Sequence, residues 1–209
     1  MKKTFLVMTF TILIIFPANA FSDELFGLKG DKLGSTLLDF KVKHDESYCF
    51  VSYPKEREKI AEKWQFNCSL CLPTGSYQNK TTTIAGVQAD IVYSFIIPDI
   101  KTSNIFDKNF LLWLIQADFD HKNFEPVTKA LKQKYGSPTE HNLSTLKNAF
   151  GAKFQNREFK WENKLSSISI FEYGDDIFTS RIIFLHSDLF KEHKRRKELY
   201  NAKKSGSDL

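Results

Sequence analysis

The sequence predicts an α+β domain built on a mainly antiparallel sheet with helices on one face. Its strand-like runs are joined by tight turns, most clearly at Gly174-Asp175-Asp176 between residues 165–173 and 177–186. Helices do not alternate with the strands, as they would in a parallel α/β sheet. Two units that each open with a helix, near Gly34 and near Asn123, further predict two helix-plus-strands halves.

The first half opens with a short helix that ends near Lys43. Thr36 and Asp39 have the three-residue spacing of a capping box at its start. Residues at helical spacing predict the buried face of this helix, namely Leu33, Leu37 and Phe40.

The rest of the first half is predicted as strands. Residues 47–53 are aromatic and β-prone, and residues 81–97 form a long strand region with a turn or bulge at Gly86. Residues 110–119 form an apolar strand that is expected to pair with it in antiparallel fashion. The segment 67–80 predicts an irregular connection.

The second half opens with the best-defined helix of the chain, over residues 123–135. Asn123 can cap it, and Pro126 sits in the first turn, where its missing N–H costs little. Gly136 ends it. Its apolar stripe at helical spacing is Val127, Ala130, Leu131 and Tyr135. Strands over 152–161, 165–173 and 177–186 follow.

The first 20 residues predict export from the cytoplasm. Lys2 and Lys3 precede a mostly apolar run, and Ala18-Asn19-Ala20 has the small-x-small pattern of a signal-peptidase site. Cleavage between Ala20 and Phe21 leaves no amino-terminal cysteine, which disfavours a lipid anchor. We therefore expect a signal peptide over 1–20 and a periplasmic or secreted domain over 21–187.

The chain is predicted to end in a basic helix or tail over 188–209. Its apolar positions are few, so we expect it to contact the domain near Leu189 or to project into solvent. The formal charge of +5 falls to +3 when Lys2 and Lys3 leave with the signal, and residues 191–204 alone hold seven lysines and arginines against two glutamates, so the remaining body carries about −2. Because the basicity is confined to this tail, the sequence argues against a nucleic-acid partner and allows at most a weak contact with an anionic surface.

Three cysteines remain in the predicted mature chain: Cys49, Cys68 and Cys71. In an oxidising compartment this odd number predicts one disulfide, from Cys49 to Cys68 or to Cys71, and one free thiol. The Cys68-x-x-Cys71 spacing also allows a thiol-redox pair, although no βαβ pattern surrounds it. A zinc site would add Cys49 and His44 as further ligands.

No other pattern in the sequence carries a catalytic mechanism. Ser144 and Lys147 have the Ser-x-x-Lys spacing of penicillin-interacting enzymes, but the companion Ser-Asp-Asn and Lys-Thr-Gly motifs are missing. The acidic pair Asp175 and Asp176 lies where such residues serve turn geometry. The five histidines never have i, i+4 spacing; they are His44, His121, His141, His186 and His193.

The layout resembles that of short exported bacterial proteins of unknown function. The residues that carry the resemblance are structural: residues 33–40 at a helix start, Ala85-Gly86-Val87 opening a strand, residues 131–138 ending a helix, and Trp161. More loosely, the layout is similar to envelope folds with helix-plus-sheet repeats, such as the β-lactamase inhibitor protein and the outer-membrane assembly lipoproteins. These are binding modules, so the resemblance implies binding and supplies no catalytic residue.

We therefore expect a non-enzymatic, exported α+β protein without a cofactor, which binds another protein or component of the bacterial envelope. The first alternative is a thiol-redox or zinc protein centred on Cys49, Cys68 and Cys71. The second is a secreted protein that interacts with host cells, which has the same sequence features.

Overall fold

The computed structural model describes residues 24–44, 49–51, 74–96, 110–147 and 150–207. The elements in chain order are β1 (Gly27–Leu28), β2 (Asp31–Lys32), α1 (Leu37–Lys43), β3 (Cys49–Val51), β4 (Thr74–Ile84), β5 (Val87–Ile96), β6 (Leu111–Asp120), α2 (Phe124–Tyr135), β7 (Glu140–Lys147), β8 (Lys153–Glu162), β9 (Ser166–Phe171), β10 (Thr179–His186) and α3 (Ser187–Ser207). β1 and β2 form a small hairpin of their own.

The other eight strands form one antiparallel sheet in the order β3-β4-β5-β6-β10-β9-β8-β7. The α+β class and the mainly antiparallel sheet are therefore confirmed. Within the described elements, α1 is followed by the meander β3 to β6, and α2 by the meander β7 to β10. The last strands of the two meanders, β6 and β10, pair with each other. This order confirms the two predicted helix-plus-strands halves.

Helices α1 and α2 pack on the same face of the sheet. Side chains alternate between the two faces of a strand, and those of this face form the main core with both helices. From the helices it contains Leu37, Phe40, Phe124, Val127 and Leu131; from the central strands it contains Ile91, Tyr93, Phe95, Ile115, Ala117, Ile168, Ile170, Ile182 and Phe184. The stripe predicted for α1 is thus buried as expected. Of the stripe predicted for α2, Val127 and Leu131 are buried, whereas Ala130 and Tyr135 are half-buried.

Helix α3 lies against the opposite face, which corrects the expectation that the helices share one face. A register shift between β5 and β6 places both Trp113 and Leu114 on that face. Leu189 of α3 packs there in a second, smaller cluster with Trp113 and Ile96. The predicted contact near Leu189 is confirmed. None of the helices in the described ranges is both long and apolar enough to span a bilayer.

The local signals in the sequence differ in how well they are realised. Thr36 is confirmed as the N-cap, since the backbone N–H of Asp39 donates to Thr36 Oγ1 at 3.1 Å, and the Thr36 hydroxyl in turn donates to Asp39 Oδ2 at 2.7 Å. The turn at Gly86 is confirmed as well, because Ala85 and Gly86 both have positive φ angles and join β4 to β5. Asn123 occupies the cap position of α2, but its side chain makes no capping hydrogen bond.

Two strands differ from the sequence-based expectation. β4 begins at Thr74, so the part of the predicted irregular connection that the structure describes is strand. β7 was not predicted, and nearly all of its side chains are exposed. The sequence of β4 is polar over most of its length, and β7 exposes nearly all of its side chains, so neither strand shows an apolar period of two in the sequence. Both strands form because a neighbouring strand supplies the hydrogen bonds.

Candidate functional site

The face of the sheet opposite α1 and α2 is the candidate site, and we call it the open face. Among the described elements, only α3 covers part of it, at the end near Trp113. The register of strands β5 to β10 places the following residues on it: Asp90, Val92, Gln116, Asp118, Glu140, Asn142, Glu158, Lys160, Glu162, Ser169, Phe171, Arg181 and Ile183.

The open face is acidic. Among the residues just named, five carboxylates stand against two cations, Arg181 and Lys160. The surface around α1 and α2 is more basic, because α2 alone exposes lysines at 129, 132 and 134 beside a single glutamate. The described part of the protein therefore has two faces of different charge, a property that influences which surfaces can approach each of them.

Arg181 is the best-fixed side chain of the open face. Its Nε donates to Asp118 Oδ1 at 2.6 Å, and its Nη2 donates to Asp118 Oδ2 at 3.0 Å. The same guanidinium donates to both carboxylate oxygens of Asp175, at 2.7 and 2.6 Å. These hydrogen bonds raise the pKa of Arg181 and lower the pKa of Asp175 below its usual range. A doubly held guanidinium costs little further entropy when a partner contacts it.

Asp90 and Asp118 lie directly opposite each other on neighbouring strands β5 and β6. Like charges in this position destabilise a sheet unless a cation separates them. Arg181 engages Asp118, but Asp90 is exposed and forms no ion pair within the described part of the chain. Among the described side chains, Arg181 therefore compensates Asp118 and none forms an ion pair with Asp90.

A second charged group lies nearer the β7 edge. Lys160 Nζ binds Glu162 at 2.5 Å and approaches Glu140 at 3.7 Å. The hydrogen bond from Lys160 to Glu162 raises the pKa of Lys160, so this cation is already engaged by the protein's own carboxylates. Apolar side chains that are only half-buried lie between the charged groups, namely Val92, Phe171 and Ile183.

A polar cluster outside the open face joins the β1–β2 hairpin to α1. Asp31 is buried, and its Oδ1 accepts from Lys43 Nζ at 2.7 Å and from His44 Nε2 at 2.8 Å. Its Oδ2 is buried and has no hydrogen-bond partner among the described residues. The His44 ring lies against Phe40 and Tyr93. The contact with Asp31 fixes the orientation of the imidazole, as carboxylates do for histidines that bind metals.

The sequence-predicted cysteine site cannot be assembled from the described residues. Cys49 is the first residue of β3 and pairs with Gln78 of β4. Cys68 and Cys71 lie outside the described residues, as do Ala20 and Phe21 at the predicted cleavage site. In the ranges that the structure describes, no three His, Cys, Asp or Glu side chains are grouped to hold a metal ion.

The other candidate side chains have structural surroundings. Ser144 and Lys147 are three residues apart on strand β7 and so point to opposite faces, where they cannot act on one substrate. Asp176 caps the turn after β9 by accepting from the Phe178 N–H at 2.8 Å, as expected. Burial lowers the pKa of His186, and His193 stacks on Trp113 at 4.4 Å between ring centroids.

Sequence reasoning missed Asp90, Asp118 and Arg181 as a group. The sequence does contain a signal for this face, since polar residues occupy alternate positions in two strands, at Gln88-x-Asp90 and at Gln116-x-Asp118. Comparison of the chain with protein-family models, curated proteins and solved structures found no match. The function of the site is therefore inferred from its geometry.

Proposed function

We propose that the chain is a non-enzymatic binding module of the bacterial envelope, and that its open face binds a basic surface of a protein partner. The observation that carries the proposal is the placement of Asp90 opposite Asp118 on this face. A partner cation that reaches Asp90 would relieve the repulsion between the two carboxylates. Like-charge pairs of this kind lower the stability of the free protein, and such unfavourable local arrangements are typical of functional surfaces.

The composition of the open face also supports a protein partner. Protein interfaces combine aromatic side chains and arginine at the centre with a polar rim. Here Phe171 and Arg181 lie opposite each other on β9 and β10, and charged side chains of β5 and β8 lie around them. Arg181 is held in place before binding, which reduces the entropy lost when a partner docks.

Capture from envelope extract by immobilised protein tests this proposal through matched variants. Asp90→Lys combined with Glu158→Lys should lower capture of the partner at least tenfold, because two attractive charges become repulsive. Gln133→Lys adds positive charge at an exposed position of α2, on the opposite side of the sheet, and should leave capture unchanged. Capture by the native protein should fall as salt is raised. If both variants capture the partner equally, the open face is not the binding surface.

Export is a separate part of the proposal. Protein isolated from its host should begin at Phe21, because Ala18-Asn19-Ala20 is the expected cleavage signal. Amino-terminal sequencing checks this. Retention of Met1, or a start many residues further on, would contradict the assignment to the envelope.

A second candidate function is metal or thiol chemistry at Cys49 with Cys68 and Cys71. The contact of buried Asp31 with His44 Nε2 favours it, because a carboxylate in this position orients an imidazole toward a metal. Thiol counting and metal analysis of the purified protein separate the two candidates. Bound zinc with three thiols protected from alkylation would support the second one.

A further inference from the structure

The hairpin of β7 and β8 extends beyond the rest of the sheet. β9 pairs with β8 only from Glu158 onward. Beyond Glu158, Tyr173 forms hydrogen bonds with Asn156, and its ring meets the ring of Phe154 edge-on at 6.1 Å between centroids. Before that point β8 pairs with β7 alone, down to Lys153 opposite Lys147. We call this protruding part, residues 143–147 and 150–155, the finger.

The finger is basic. The chain has no acidic residue between Glu140 and Glu158. Lys147 and Lys153 are exposed and lie directly opposite each other, a pairing that destabilises a hairpin. Within the described part of the chain, neither lysine forms an ion pair. An anionic surface would remove this repulsion.

Beyond Lys147 and Lys153, the described part of the finger carries an exposed aromatic side chain. Phe150 is 95% exposed, more than any other large hydrophobic side chain in the described ranges. The two lysines are each three residues away from it along the chain, behind the apex. Leu146 and Phe154 face each other one residue further along their strands and are half-buried. From apex to base the finger therefore presents an aromatic ring and then two cations.

We propose that the finger binds an anionic phospholipid bilayer, with Phe150 entering the interface and Lys147 and Lys153 contacting headgroup phosphates. The order of groups along the finger matches the order of layers in a bilayer, where apolar chains lie beneath a charged surface. A flat acidic protein surface would neutralise the lysines but would offer no apolar environment for the ring of Phe150. This inference goes beyond the proposed binding of a protein by the open face and does not depend on it.

The structure offers a matched control for the aromatic side chain. Phe178 also lies exposed in a turn between strands, with 74% of its surface accessible. However, its neighbours are the carboxylates Asp175 and Asp176, which an anionic bilayer repels. Nonspecific adsorption through exposed aromatic rings would involve Phe178 as much as Phe150. The proposed binding to an anionic bilayer involves Phe150 alone.

Co-flotation of the full chain with vesicles of phosphatidylglycerol and phosphatidylethanolamine tests the inference. Phe150→Ser should lower partitioning about tenfold or more, from the apolar area that no longer enters the interface. Lys147→Glu and Lys153→Glu should each lower it about fivefold or more. Phe150→Trp should restore partitioning and show a blue-shifted fluorescence with these vesicles. All variants are compared in the form that the host produces, so that the amino terminus is the same in each.

The controls decide whether the finger is responsible. Two control variants should partition like the native chain: Phe178→Ser, and Lys129→Glu at an exposed position of α2. Vesicles of phosphatidylcholine should bind the native chain weakly. Equal partitioning of Phe150→Ser and native protein would overturn the inference. It would also be overturned if Lys194→Glu with Lys197→Glu on α3 is as damaging as the lysine changes in the finger, or if finger variants lose a protein partner while keeping their vesicle binding.

Discussion

Arg181 of β10 holds Asp118 of β6 by two hydrogen bonds across the strand pair that joins the two halves of the sheet. The pair thus supports the contact between the meanders and also defines the centre of the open face. Because Asp90 lies on the other side of Asp118, removing the guanidinium would leave two carboxylates facing each other.

Replacement of Arg181 by Met should therefore destabilise the protein by about 1–2 kcal/mol. This value is smaller than that expected for a buried ion pair, because the side chains of Arg181 and Asp118 are both partly exposed. Urea unfolding measures the change. Asp175→Asn removes the other, largely exposed partner of Arg181 and should cost less than about 0.5 kcal/mol. If Asp175→Asn costs as much as Arg181→Met, the pairing with Asp118 is not the stabilising one.

Helix α2 provides a test of the core. Leu131 is buried on the helix-covered face, next to Val127. Leu131→Ala should lower the free energy of unfolding by roughly 2–5 kcal/mol, through lost transfer energy and the cavity that remains. Lys129 is exposed, so Lys129→Ala should change the free energy of unfolding little. Equal effects in thermal or urea unfolding would contradict the assigned orientation of α2.

The contact of α3 with the sheet should depend on pH. Burial lowers the pKa of His193 below its ordinary value of 6.5, with further contributions from Lys197 and Arg196 of the same helix. A proton therefore binds the unfolded chain more tightly than the folded one. Stability from this group is complete above about pH 7 and is lost as the pH falls through 6.5 toward the folded-state pKa.

Unfolding experiments between about pH 7.5 and 5 check this dependence. His193→Gln should flatten the loss of stability over that range, and His186→Gln should do so as well, because burial also lowers the pKa of His186. His141 is exposed and stacks on Phe159 at the sheet edge, so His141→Gln serves as the control. A slope that is unchanged in His193→Gln would show that this imidazole does not titrate against folding.

The parts of the fold that were predicted from sequence have local causes. Thr36 and Asp39 cap α1 by their own hydrogen bonds, and Leu131 repeats the helical period of Val127. β7 could not be predicted in this way, because its side chains face solvent and only pairing with β8 makes it a strand. The face chosen by α3 also depends on a distant register shift, at Trp113, and not on the sequence of α3 itself.

The open face was beyond sequence reasoning for a related reason. Asp90, Asp118 and Arg181 come from three strands, and Arg181 is 63 residues from Asp118 in the chain. Their meeting depends on the order of strands and on a register that a shift of one residue would reverse. Single-residue patterns show only that these positions are polar. The same holds for Asp31 and His44, whose contact depends on where the β1–β2 hairpin lies.

The cysteine prediction stays open to a direct chemical test. A bond from Cys49 to Cys68 or Cys71 would close a loop of about 20 residues, for which the chain-entropy model gives on the order of 3 kcal/mol. Non-reducing peptide mapping should find this bond, with a slight preference for Cys68, and one free thiol. A bond between Cys68 and Cys71 with Cys49 free would contradict the prediction and favour thiol-redox chemistry instead.

Site-specific photo-cross-linking in the living cell tests the central claim most directly. A photoreactive side chain in place of Ile183, at the centre of the open face, should give a discrete adduct with one protein partner. The same group in place of Val42, which is 82% exposed on α1, should give none. An adduct at position 42 without one at position 183 would contradict the proposal that the open face of the sheet is the binding surface.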